Sequence, residues 1–243
     1  MTTAIPYENQ LIGAFLYALG YADARYAAQH ASGALAAAPM SPMAVNLFQQ
    51  TPLDCAFSDL VIGREQCLVL EFKRSPAELG SETRKHRAAC CKAFAQDKAL
   101  RALSRHGHFV VYGQHAEAGV DLRLCLYLDV LGLTEPVKLD RGSARFLVDH
   151  LARPTPPAKP RLGLKPAAMV TYLDHLRRLR AEQIGSAGRI GTERWLGLAR
   201  DGAGLKVVAA HSIEALLGLD IDRAPGHDLD RAIKRNRPRG PER

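Results

Sequence analysis

Leu11, Ile12, Phe15, Leu16 and Leu19 recur at three- and four-residue intervals along ENQLIGAFLYAL, which predicts an amphipathic helix starting near Glu8, with Gly20 as its stop. A second, Ala-rich helix is expected from about Ala22 to Ala38, halted by Pro39 and Pro42, with a loop reaching Pro52. Two short runs follow, CAFSDLVI (55–62) and QCLVLEFK (66–73), rich in β-branched and aromatic residues. Gly63-Arg64-Glu65 between them reads as a tight turn with Gly63 at positive φ, so the runs form a β-hairpin that sets Asp59 and Glu71 on paired strands. SETRKHRAACCKAFAQDKALRALSR has Ala, Cys, Phe and Leu on one side and Lys, Arg and Gln on the other, predicting one long basic amphipathic helix that ends at Gly107. HFVVYGQ (108–114) and DLRLCLYLDV (121–130) then read as strands. The expected order is α, α, β, β, α, β, β.

RFLVDHLAR predicts a short helix, after which Pro154, Pro156, Pro157, Pro160 and Pro166 make an extended stretch incompatible with helix. A boundary is expected there: a first domain over 1–151, a Pro-rich linker over 152–167, and a mainly helical C-terminal region over 168–243. In that region MVTYLDHLRRLRAEQ reads as a helix, and GLKVVAAHSIEALLGLDI as a strand leading into a helix. The final RAIKRNRPRGPER is read as a disordered cationic tail.

Composition narrows the function classes. With few aromatics and abundant Ala, Leu and Arg, helices around a small sheet are favoured over an all-β fold. A net charge of +8 favours nucleic acid or anionic lipid over an acidic protein as partner. No run approaches the roughly 20 apolar residues of a membrane span, and MTTAIPYENQ lacks the order of a signal peptide, so a soluble, cytoplasmic protein without a membrane partner is expected. Cys55, Cys67, Cys90, Cys91 and Cys125 form no CxxC and are read as buried thiols. His106 and His108 are read as loop and strand-edge residues, outside any metal site. No Walker A loop or GxGxxG is present.

One constellation remains that could carry chemistry. Glu71 and Lys73 stand two apart on a predicted strand and share a face, while Phe72 points into the core. Magnesium takes one or two protein carboxylates and leaves its other positions to water and substrate, so Asp59 and Glu71 suffice as ligands. Lys73 beside them can orient an attacking water or stabilise negative charge in a transition state. Lys85 and Lys92, with Arg84, Arg87, Lys98 and Arg101, give the following helix a cationic face for phosphates. Aromatic residues are not interleaved with these charges, so stacking on unpaired bases is not expected.

SDLVIGREQCLVLEFKR resembles the core hairpin of the PD-(D/E)xK nuclease superfamily: Asp59, eleven intervening residues with an apolar run, then Glu71-Phe72-Lys73. Ser58 stands where the pattern has proline. The resemblance implies an α/β, restriction-endonuclease-like αββαβ core, a small mixed sheet flanked by helices. It implies a further metal-facing Glu on the first helix, for which Glu8 is the match by order, and a nucleic-acid contact from Gln96; Leu100 stands where some members carry a Tyr. The implied activity is magnesium- or manganese-dependent hydrolysis of DNA phosphodiester bonds, with Asp59, Glu71 and Glu8 on the metal and Lys73 assisting. Restriction, phage defence and genome maintenance are the settings the resemblance suggests, and a homodimer is one expected assembly. The competing expectation is a catalytically inactive nuclease-like module that binds nucleic acid, or a protein partner through its C-terminal region.

Overall fold

The computed structural model describes residues 5–30, 43–47, 58–63, 66–117, 119–133, 143–152, 162–184, 195–201 and 204–210. Every residue of the strand Cys67–Lys73 is buried, because it lies inside a sheet covered by helices on both faces. In chain order the elements are α1 (Glu8–His30), β1 (Met43–Leu47), β2 (Leu60–Gly63), β3 (Cys67–Lys73), α2 (Leu79–Gln96), α3 (Lys98–Gly107), β4 (His108–Ala116), β5 (Gly119–Leu126), α4 (Tyr127–Val130), α5 (Ala144–Ala152), α6 (Pro166–Ile184), β6 (Trp195–Asp201) and β7 (Gly204–Ala210). The sheet has seven strands in the order β5-β4-β3-β2-β1-β6-β7. It is mixed: β3 and β4 run parallel across the α2–α3 crossover, and the other pairs are antiparallel. This is an α/β fold built on an open mixed sheet.

Alternation along the strands divides the core in two. Leu60, Ile62, Leu68, Leu70, Phe72, Phe109 and Val111 face α1 and α5, meeting Leu11, Ile12, Phe15, Leu19, Leu147 and Leu151. Phe15 and Phe72 pack edge to face with ring centroids 5.7 Å apart. On the other face Val61, Val69 and Val110 meet Cys90 and Phe94 of α2, Leu100 of α3, Tyr127 of α4, and Met169, Tyr172 and Leu176 of α6.

Several expectations change. Gly20 does not stop the first helix: α1 continues to His30, because a lone exposed glycine with good helix formers around it costs only about 1 kcal/mol. The second helix expected over Ala22–Ala38 is thus merged into α1 as far as His30, and 31–42 lie outside the described residues. Within the expected loop stands β1, which pairs with β2 and β6. Gly63 is not a positive-φ turn residue but the last residue of β2, opposite Cys67, where an added Cβ would fall 2.7 Å from the Cys67 Cα.

The long basic helix is two helices. Asp97 leaves helical geometry and caps α3, its carboxylate accepting the Leu100 N–H at 2.9 Å. Asp97→Ala is expected to cost about 1 kcal/mol, read in a thermal melt as a Tm lower by roughly 2–4 °C. An unchanged Tm would show that the break at Asp97 is held by packing instead.

Beyond the prolines the chain returns to the same core. Cys67 and Leu164 exchange backbone hydrogen bonds of 2.7 and 2.9 Å, and the Gly163 N–H donates to the His106 carbonyl at 2.7 Å. Gly163 has φ +102°, which an L side chain rarely adopts. From there α6 packs beside α2 and α3. In the C-terminal region the described residues are α6 and, after it, the hairpin β6–β7, whose alternating Leu and Val pattern favours strands. GLKVVAA is a strand as expected, while the helix after it and the basic tail lie outside the described residues.

His108 stands at the start of a strand, as expected, but it is not exposed there. It is fully buried as the first residue of β4, stacked on Tyr127 at 3.9 Å and hydrogen-bonded through Nδ1 to the Tyr172 hydroxyl at 2.7 Å. Cys67 and Cys90 are buried, and Cys91 and Cys125 half-buried; Cys55 lies outside the described residues. Burial, reinforced by the nearby Asp129, pushes the Cys125 thiol up to about 12, so it stays protonated and inert. No described helix is long and apolar enough to cross a membrane.

Candidate active site

The hairpin register aligns Leu60 with Leu70, and one further step sets Asp59 across from Glu71. Asp59 precedes the first residue of β2 rather than lying within a strand, since β2 is shorter than its apolar run. Its carboxylate Oδ2 accepts the Phe72 N–H at 2.5 Å, satisfying a backbone donor of β3 just where β2 has ended. Glu71 Oε2 accepts the Asp59 N–H at 3.3 Å and the Ser58 hydroxyl in a short hydrogen bond. Ser58 therefore gives the Glu71 carboxylate a side-chain donor.

Lys73 reaches the same spot. Its Nζ lies 4.0 Å from Glu71 Oε1 and 4.0 Å from Glu8 Oε1. Glu8 opens α1, where its charge is favourable at the helix N-terminus, and α1 is held over the sheet by Phe15 on Phe72. The four residues read from the sequence for metal binding and catalysis, Glu8, Asp59, Glu71 and Lys73, thus meet where β3 ends. Asp59, Glu71 and Lys73 are buried, at 5, 5 and 7% exposure, and the Glu8 side chain is 34% exposed, which leaves the cluster one wet side. Buried charges at this density are costly unless they compensate one another or bind an ion.

Carboxylates from Asp59 and Glu71 are the hard oxygen donors that magnesium takes, so these two residues fit the ion in kind. Among the described residues, no three His, Cys, Asp or Glu side chains stand close enough together to cage a metal ion. A two-carboxylate site completed by water is the arrangement these residues suit.

Other neighbours were not legible in the sequence. Tyr112 pairs with Lys73 across β3 and β4. Burial pushes its phenol up, Cys125 adding to the effect and Arg123 opposing it, so the hydroxyl remains a donor at neutral pH. Arg74 follows Lys73 and lies over the Tyr7 ring, 5.2 Å from its centroid. On the basic helix, Lys92 and Gln96 are exposed on α2; the Lys85 side chain lies outside the described residues. No protein-family model, curated protein or solved structure matches the chain.

Proposed function

We propose that the protein is a metal-dependent nuclease that hydrolyses DNA phosphodiester bonds, with the restriction-endonuclease-like core that its hairpin resembles. One observation carries this reading: Glu8, Asp59, Glu71 and Lys73, drawn from three separate segments, converge at the end of β3 with an opening to solvent on the Glu8 side. Asp59 and Glu71, with Glu8 nearby, would hold a divalent ion, which would supply charge neutralisation and a more acidic water. Lys73, fixed by two carboxylates, offers its ammonium to the negative charge that builds on the phosphoryl group. Ser58 and the Asp59 N–H hold Glu71 in one rotamer, so the donor set is arranged before substrate arrives. Lys92 and Gln96, exposed on α2, are the proposed contacts to the nucleic-acid backbone, with Lys85 on the same helix.

Full-length protein incubated with supercoiled, linear and single-stranded DNA is expected to cut only when magnesium or manganese is added, and chelation should stop it. If no duplex, single-stranded, branched or RNA substrate is cut in either metal, the enzymatic reading fails.

A second reading has one observation in its favour: the carboxylates engage Ser58, two backbone N–H groups and Lys73, so the cluster is compensated by the chain's own groups. In that reading the same fold is a non-cleaving module for nucleic acid or a protein partner. Calorimetric titration with magnesium separates the two. Heat from the wild type that vanishes in Asp59→Asn supports the enzyme, and no heat from the wild type supports the module.

A further inference from the structure

Tyr7 is the N-cap of α1, but a tyrosine side chain cannot cap a helix. Its N–H is instead taken by Gln10 Oε1 at 2.9 Å, and its carbonyl accepts the Gln10 and Leu11 N–H groups at 3.0 and 3.1 Å. The backbone is held and the ring is left 68% exposed. The next residue, Glu8, reaches Lys73, while Arg74 lies over the ring with its guanidinium carbon 5.2 Å from the centroid. Arg74 is itself anchored, its Nε donating to the Ile5 carbonyl at 3.2 Å. The ring therefore stands beside the site, tied to it through Glu8 on one side and through Arg74 on the other. Tyr7 and Arg74 are far apart in the sequence, so the charge–aromatic pairing is created by the fold.

We propose that Tyr7, backed by Arg74, is a stacking platform for an unpaired nucleobase next to the phosphodiester at the site, and that it biases the protein toward single-stranded or frayed DNA. Placing that phosphodiester at Lys73 rests on the nuclease reading. A large exposed ring stiffened by a cation offers a flat π surface that any base can cover. A base inside a duplex is already stacked on both faces and gains nothing there. Arg74, on a chain of net charge +8, favours the backbone that carries the base.

The test uses full-length protein without metal and a single-stranded oligonucleotide carrying 2-aminopurine, compared with a duplex closed by hairpins at both ends. Wild type is expected to quench the probe in the single strand. Tyr7→Ala should lose the quench and bind the single strand about tenfold more weakly, with closed-duplex binding unchanged, and Tyr7→Phe should behave as wild type. Tyr17→Ala removes another exposed tyrosine of α1, roughly 15 Å along the helix by its rise, and should change nothing. Equal single-strand binding by wild type and Tyr7→Ala overturns the platform, as does an equal loss on closed duplex. Tyr7-dependent quenching by a protein that cuts nothing with metal present supports the platform and sinks the nuclease reading alone.

Discussion

Lys73→Met is expected to lower the rate of metal-dependent DNA cleavage by on the order of 10²–10³-fold while leaving substrate binding nearly unchanged. Methionine keeps the length of the stem and removes the ammonium that lies 4.0 Å from both Glu71 and Glu8. Because that cation is buried between carboxylates, its loss also acts on the fold, and a thermal melt must accompany the assay. Glu71→Gln provides the complementary probe. The amide oxygen can still accept from Ser58 and from the Asp59 N–H, so the hairpin end stays satisfied, but the charge needed to hold a metal is gone. Cleavage should fall as far as in Lys73→Met. Either variant cutting DNA at the wild-type rate would remove this cluster from the chemistry.

Phe15→Ala is expected to destabilise the protein by about 3–5 kcal/mol, read as a fall in the urea midpoint at unchanged slope. A domain holds only about 5–15 kcal/mol in all, so this single truncation removes a large part of the margin. The ring is fully buried and meets Phe72 edge to face, and together they clamp α1 to the back of β3. The same clamp sets where Glu8 begins. Phe15→Leu, which keeps most of the volume, should cost under about 1.5 kcal/mol. A Phe15→Ala loss below about 1 kcal/mol would mean that α1 is held mainly through α5.

The clustering at the end of β3 was legible because it obeys short-range geometry. Glu71, Phe72 and Lys73 follow strand alternation, Asp59 follows hairpin register, and Phe72 is indeed turned to the core opposite the charged pair. Glu8 could be placed only by resemblance and order, since its approach depends on how α1 lies on the sheet. What escaped the sequence depended on distant partners. MAVNL is five residues among prolines, and it becomes a strand because β2 and β6 flank it. Asp97 looked like one more polar position on an amphipathic helix, yet its carboxylate starts a new one. His108 reads as a strand-edge histidine, but Tyr127 and Tyr172 enclose it. The meeting of Arg74 with Tyr7, 67 residues apart, is likewise a product of the fold.

Strand β1 pairs on one side with β2, a near neighbour in the chain, and on the other with β6, where Met43 meets Leu198 and Ala44 meets Gly197. During synthesis the ribosome delivers β1 long before β6, and a chain grown only as far as α5 presents β1 as an open edge. Closing that ladder brings together residues of very large sequence separation, a slow step whose loop entropy is met before any contact rewards it. Truncation before β6 should therefore show up as association between nascent or shortened chains, with the hairpin that carries Glu71 already formed. Strands β6 and β7 act as an edge cover for a sheet whose Glu71 end is made much earlier.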